Sequence, residues 1–183
     1  MIVNTAKAML EAVGKDRKVT LETSNGERLE GVLHHSLTIS DAKKLVGRTL
    51  DLSNAYRQLF NSPASDWCSV IGTPNPSSGK VEFDIQHANP FGATACVYSF
   101  NRFSKAIWHI GVAGFSLIWT NHFDDYPQID LAIMQDESQK AAERLMTLLG
   151  WAVSHDDAKR LPFTSSFSPL GVEVDFKETG NDK

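Results

Sequence analysis

The chain is poor in the features that mark several familiar classes. Two cysteines, Cys68 and Cys96, among 183 residues are too few for a disulfide framework or a cysteine-based zinc site. Both lie in apolar stretches, which predicts buried free thiols and a reducing compartment. No run approaches the roughly 18 apolar residues of a membrane span. The start, Met1-Ile-Val-Asn-Thr-Ala-Lys, lacks the apolar segment of a secretory leader. The expectation is an intracellular protein of cytoplasm or nucleus, neither secreted nor bound to a membrane. Basic excess is also missing: 18 Lys and Arg stand against 22 Asp and Glu, a net charge of -4. That balance does not advertise a nucleic-acid binder, although binding depends on where the charge lies. Residues 1–50 hold more basic than acidic side chains, so the acidic excess falls later in the chain. Internal repeats and low-complexity tracts are absent. What is present is a 42% hydrophobic fraction, enough for a core and too high for wholesale disorder.

Periodicity divides the chain into short elements. Val3, Ala6, Met9, Leu10 and Val13 recur at helical spacing, with Gly14 as a stop. Residues 18–23 and 28–33 read as a hairpin whose Asn25-Gly26 suits a tight turn. Strands are expected at 45–52, 67–71 and 81–85, the last two joined by the turn-rich Pro74-Asn-Pro-Ser-Ser-Gly79. A helix from about 94 to 110, apolar over much of its surface, should end at Gly111 and Gly114. A buried strand at 115–119 should run into Asp124-Asp125, with a return strand at 129–133. A second long helix, 135–149, opens with Asp136 and Gln139 spaced as a capping box and closes at Gly150. Strands near 151–154 and 167–176 complete an α+β layer arrangement with helices on one face of a mixed or antiparallel sheet.

The chemistry-bearing residues are few. Two adjacent carboxylates, Asp124 and Asp125, at the tip of a buried strand repel each other and call for a cation or fixed donors. Taken alone, such a pair is more often part of a solvated turn. Asp51 ends a strand, where it suits an N-cap for the turn at 53–60 as readily as a metal ligand. Tyr56 suits the core as well as a pocket wall. Lys159 suits solvent between strands, and His34-His35 read as solvated side chains near a strand end.

Five blocks in order carry a resemblance. Asp51-Leu-Ser-Asn-Ala-Tyr-Arg-Gln58 is the first, with the strand and hairpin of 67–88 behind it. Asn89-Pro-Phe-Gly-Ala-Thr-Ala-Cys-Val-Tyr-Ser-Phe-Asn-Arg102 is the second. His122-Phe-Asp-Asp125 is the third. Leu149-Gly-Trp with Lys159 and Pro162-Phe163 is the fourth, and Phe167-Ser-Pro-Leu-Gly-Val-Glu-Val-Asp175 the fifth. Together they resemble the palm of a reverse transcriptase of gypsy-like or DIRS-like retrotransposons, over residues 45–176. His122 stands where the family has an aromatic Tyr or Phe, and Pro127 interrupts the strand after the box. The resemblance implies a polymerase palm with partial fingers in 1–44, no thumb, a disordered tail at 177–183 and a truncated gene.

It also implies RNA-directed DNA polymerisation, with dNTPs added to a primer on an RNA or DNA template. Two Mg²⁺ ions, with Mn²⁺ as an alternative, would be held by Asp51, the Leu52 carbonyl, Asp124 and Asp125. Such ions take hard oxygen ligands and retain water, so a few carboxylates plus phosphates suffice. Ala55, Tyr56, Phe91, Gly92 and Lys159 would contact the nucleotide, Tyr56 by excluding a 2′-hydroxyl and Lys159 by protonating pyrophosphate. A thumb, an RNase H or an integrase region would be partners in a longer polyprotein. The alternative is a catalytically inactive palm remnant acting as a binding or structural protein.

Overall fold

The computed structural model describes residues 2–23, 25–154, 156 and 161–180. The chain runs α1 (Ile2–Ala12), β1 (Lys18–Glu22), β2 (Arg28–Val32), β3 (Leu45–Asp51), β4 (Val70–Pro74) and β5 (Val81–Ile85). There follow α2 (Thr94–Phe115), β6 (Asp125–Leu131), α3 (Gln135–Leu148), β7 (Ser166–Phe167) and β8 (Val174–Asp175). The class is α+β, but the strands form four antiparallel pairs, β1–β2, β3–β6, β4–β5 and β7–β8, instead of one mixed sheet. Isolated bridges widen the central pair. Trp119 and His122 bridge to Gln128 and Asp125 on the outer edge of β6, and Thr164 and Val153 bridge to Gly47 and Leu52 on the outer edge of β3.

Alternation along β3 and β6 sets the layers. Leu50 and Tyr126, paired across the ladder, enter one core with Phe100 and Ile107 of α2 and Ala142, Leu145 and Met146 of α3. Leu45 and Ile129, of the opposite parity, enter a second core with Ala6 of α1 and Phe167, Val174 and Phe176. Gly47 belongs to this second face and lies under Phe167: a Cβ there would stand 2.1 Å from the Phe167 ring. Phe167 thus closes the Gly47 end of the face and leaves the Asp51 end open.

Several expectations change. The 3₁₀ turn Pro63–Cys68 takes up Trp67 and Cys68, so β4 begins at Val70 and Trp67 is 82% exposed. Cys68 is therefore exposed and Cys96 half-buried, both free, where buried thiols were expected. Helix α2 passes through Gly111 and Gly114 and ends at Ser116, whose left-handed φ of 53° lets the Leu117 N–H reach the Gly111 carbonyl at 3.0 Å. Residues 115–119 are thus split between a helix end and an extended segment. Gly111 is kept in the helix by packing, because the Trp119 ring occupies the space of its missing Cβ. The apolar surface of α2 is broader than its buried stripe, Phe100, Ser104, Ile107 and Gly111, and Tyr98 and Phe103 face outwards.

Strand β6 starts at Asp125 and runs through Pro127, which cannot donate to a ladder but whose carbonyl still accepts from the Thr120 N–H at 2.8 Å. Helix α3 has Met134 at its N-cap with no side-chain cap bond; Gln139 instead donates to Glu143 at 3.0 Å, so the expected capping box does not form. The hairpin of β1 and β2 has Glu22 and Arg28 as its last ladder pair, so its connection is longer than a two-residue turn, with Gly26 at φ 83°. Residues 177–180 fold as a turn docked on the strand start, the Leu45 N–H donating to Thr179 Oγ1 at 3.0 Å. No described helix is long and apolar enough to cross a membrane.

Candidate functional site

Antiparallel register brings the separated carboxylates together. Asp51, the last residue of β3, is the direct ladder partner of Asp125, the first residue of β6. Directly opposed residues project from the same face with Cβ atoms roughly 5 Å apart. Asp124 precedes β6 in the turn, and its carbonyl accepts from the Leu52 N–H at 3.3 Å. The Ser154 N–H donates to the Asp51 carbonyl at 2.9 Å, so the neighbouring chain fixes the backbone of Asp51 from the other edge. All three carboxylate residues line one cleft of about 480 Å³, roofed by Leu161, Pro162, Thr164 and Phe167.

The turn that carries Asp124 is tight. His122 and Asp125 exchange both backbone bonds, N–H to carbonyl at 2.8 and 3.0 Å, leaving Phe123 and Asp124 at the centre. Phe123 takes φ 54°, the positive value such hairpin turns require at their first central position and one that a bulky residue adopts at a cost. Trp108 and Trp119 clasp each other behind this hairpin, each indole N–H donating to the other's carbonyl, at 3.0 and 3.1 Å.

The other expected contact residues gather on the helix side. Ala55 and Tyr56 lie in the 3₁₀ turn Ala55–Gln58 and are buried, Tyr56 at 7% exposure. The Tyr56 ring stacks on Phe100, centroids 4.6 Å apart, and meets Phe91 at 4.9 Å. Burial, and next the nearby charge of Asp124, push the Tyr56 phenol above its usual range. Phe91 is 65% exposed on the outer side of this stack. Gly92 has φ 92°, and nothing lies within 4 Å of where its Cβ would be, so its backbone conformation is what calls for glycine. Lys159 lies outside the described residues. His34 and His35 are exposed, their rings 4.1 Å apart, away from the cleft.

A buried polar group beside the cleft was not anticipated. Arg48 is 2% exposed and lies on the helix side of β3. Its Nε donates to Gln128 Oε1 at 3.1 Å, its Nη1 to Glu143 Oε1 at 3.3 Å, and its guanidinium covers the Phe163 ring at 5.2 Å. Gln128 in turn donates to Ser138 Oγ at 2.7 Å. The signal in the sequence was a single Arg inside an apolar strand, which demands a buried partner set.

The carboxylates that line the cleft offer oxygen donors, the kind that a hard divalent cation takes. Among the described residues no group of three or more His, Cys, Asp or Glu side chains is placed so that it could hold a metal ion. A magnesium site completed by water and phosphate oxygens does not require one. No protein-family model matches the sequence, and no curated protein matches it.

Proposed function

We propose that the chain is a reverse transcriptase palm, an RNA-directed DNA polymerase of retrotransposon type that joins a dNTP to a primer 3′-hydroxyl. The observation that carries the reading is the meeting of Asp51 with the Asp124-Asp125 turn at the open end of a two-stranded ladder. These residues are far apart in sequence, and the five ordered motifs single them out independently of their geometry. Asp51, Asp124 and Asp125 would hold divalent cations. When bound, such ions supply charge neutralisation on the phosphate and a more acidic primer hydroxyl. The protein's own part is placement: β3 and β6 fix two carboxylates on one face, and the roof from residues 161–168 bounds the space above them. Tyr56 lies near enough to Asp124 to feel its charge, although neither it nor Phe91 lines the cleft, and in this reading the two would meet the nucleotide sugar.

A second reading, a palm remnant that binds without catalysis, is favoured by one observation, the lack among the described residues of three or more His, Cys, Asp or Glu side chains placed to hold a metal ion. Primer extension on an RNA template with Mg²⁺ or Mn²⁺, beside Mn²⁺ binding followed by electron paramagnetic resonance, separates the two. The polymerase reading expects extension, and a loss of about a hundredfold or more in Asp51→Asn and in Asp124→Asn. Mn²⁺ binding without extension supports the remnant. Extension that survives both substitutions sinks the catalytic assignment.

A further inference from the structure

We propose that Ser104 is a positioning residue that clamps the turn bearing Asp124, a role that rests on the polymerase reading for its function but not for its geometry. Ser104 is fully buried in the inner stripe of α2, 19 residues before Phe123. Its hydroxyl donates to the Phe123 carbonyl, on the peptide that leads directly into Asp124. Its oxygen accepts from Asn121 Nδ2 at 3.1 Å and lies 2.9 Å from the Tyr126 hydroxyl, which also reaches the Ser104 carbonyl at 3.3 Å. A serine hydroxyl has one proton and two acceptor sites: the Phe123 carbonyl takes the proton, Asn121 fills one acceptor site, and the single Tyr126 proton is shared between the other site and the Ser104 carbonyl.

The three partners straddle the turn: Asn121 before it, Phe123 at its centre, Tyr126 after it. Phe123 is held at φ 54°, which persists in a bulky residue only when surrounding contacts over-determine it. The Ser104 hydrogen bond supplies such a contact at the strained peptide itself. Helix α2 is thereby tied to the carboxylate turn at Ser104, in addition to the Trp108–Trp119 clasp behind the hairpin.

The test compares Ser104→Ala with Ser138→Ala. Ser138 is a buried α3 serine whose hydroxyl accepts from Gln128 at 2.7 Å on the same sheet, remote from the turn, so it controls for the loss of a buried hydroxyl. Amide hydrogen exchange is read at His122 and Asp125, whose bonds close the turn, and Mn²⁺ affinity is read by titration. Ser104→Ala should speed exchange at those two amides by about fivefold relative to the rest of β6. It should weaken Mn²⁺ by about tenfold, as loss of a group that orients a ligand does. Ser138→Ala should change neither, while both lower thermal stability.

Equal behaviour of the two variants at the turn amides overturns the clamp. If the turn loosens in Ser104→Ala but Mn²⁺ affinity holds, the clamp stands as structure and the positioning role falls. Wild-type protein that binds no Mn²⁺ removes the polymerase reading and the positioning role with it, and the exchange data still decide whether Ser104 holds the turn.

Discussion

Tyr126 ties the core to the carboxylate turn, and its ionisation gives a direct stability measurement. Burial pushes its phenol up to about 12 from the ordinary value of 10.0. A group whose folded pKa is raised contributes stability that is complete below the unfolded value and is lost as pH rises through the folded value. Between about pH 10 and 12 the protein should therefore lose on the order of 2–3 kcal/mol from this group, and Tyr126→Phe should flatten that part of the profile. Denaturant titrations across this range provide the check. Tyr56 poses a different question, because it is both core and candidate sugar gate. Its stack on Phe100 means that Tyr56→Ala should cost about 3–5 kcal/mol of stability whatever else it does. A gate adds a fall in the dNTP-to-rNTP ratio of kcat/KM, which Tyr56→Phe should not reproduce because the ring is retained. If Phe relaxes sugar choice as much as Ala, ring bulk is not the discriminating feature.

Helix α2 shows how context reverses a propensity. Glycine in a helix interior is about 1 kcal/mol worse than alanine, so Gly→Ala in a helix ordinarily stabilises. Gly114 has nothing within 4 Å of its missing Cβ and should follow that rule, with Gly114→Ala gaining about 0.5–1 kcal/mol. At Gly111 a Cβ would stand 2.1 Å from the Trp119 ring, so Gly111→Ala should lose about 1–3 kcal/mol despite better propensity. Thermal unfolding of the two variants should shift in opposite directions. The same helix shows what the sequence made legible. The span of α3 within a residue and the pairing of β4 with β5 were readable, since local pattern decides them, while the α1 stripe was readable only in part, Ala6 being buried and Val3 exposed. The end of α2 was misread because two glycines look like a stop. One of them is present to admit Trp119, a contact across separate elements that no local window contains. The Asp51–Asp125 register was approached only through motif order. Strand pairing is a long-range fact, and neither Asp carries a spacing signal of its own. The Ser104 clamp left no trace beyond one polar residue in an apolar helical stripe.

At the scale of the molecule, charge decides how nucleic acid could be held. Protein–nucleic acid affinity rests mainly on Lys and Arg neutralising phosphates, and it weakens when salt rises or Mg²⁺ competes for the same phosphates. Here the net charge is -4, the described lining of the cleft holds three carboxylates, and Arg48, the basic residue of that described lining, is committed to Gln128 and Glu143. A primer–template bound without divalent ions should therefore be held weakly, with a dissociation constant no better than about 10⁻⁴–10⁻⁶ M at physiological salt. Millimolar Mg²⁺ should then act in the unusual direction. Cations shared between Asp51, the Asp124-Asp125 turn and phosphate oxygens would convert a repulsive surface into an adhesive one, so affinity should rise with Mg²⁺. Fluorescence anisotropy with a labelled primer–template, titrated in EDTA and in Mg²⁺ at matched ionic strength, reads the sign. Asp124→Asn should remove the Mg²⁺ enhancement and at the same time strengthen binding slightly in EDTA, because one repelling carboxylate is gone. Affinity that falls with Mg²⁺ in the wild type would mean that the phosphates meet a basic surface elsewhere on the molecule and that the carboxylate cleft is not where the nucleic acid lies.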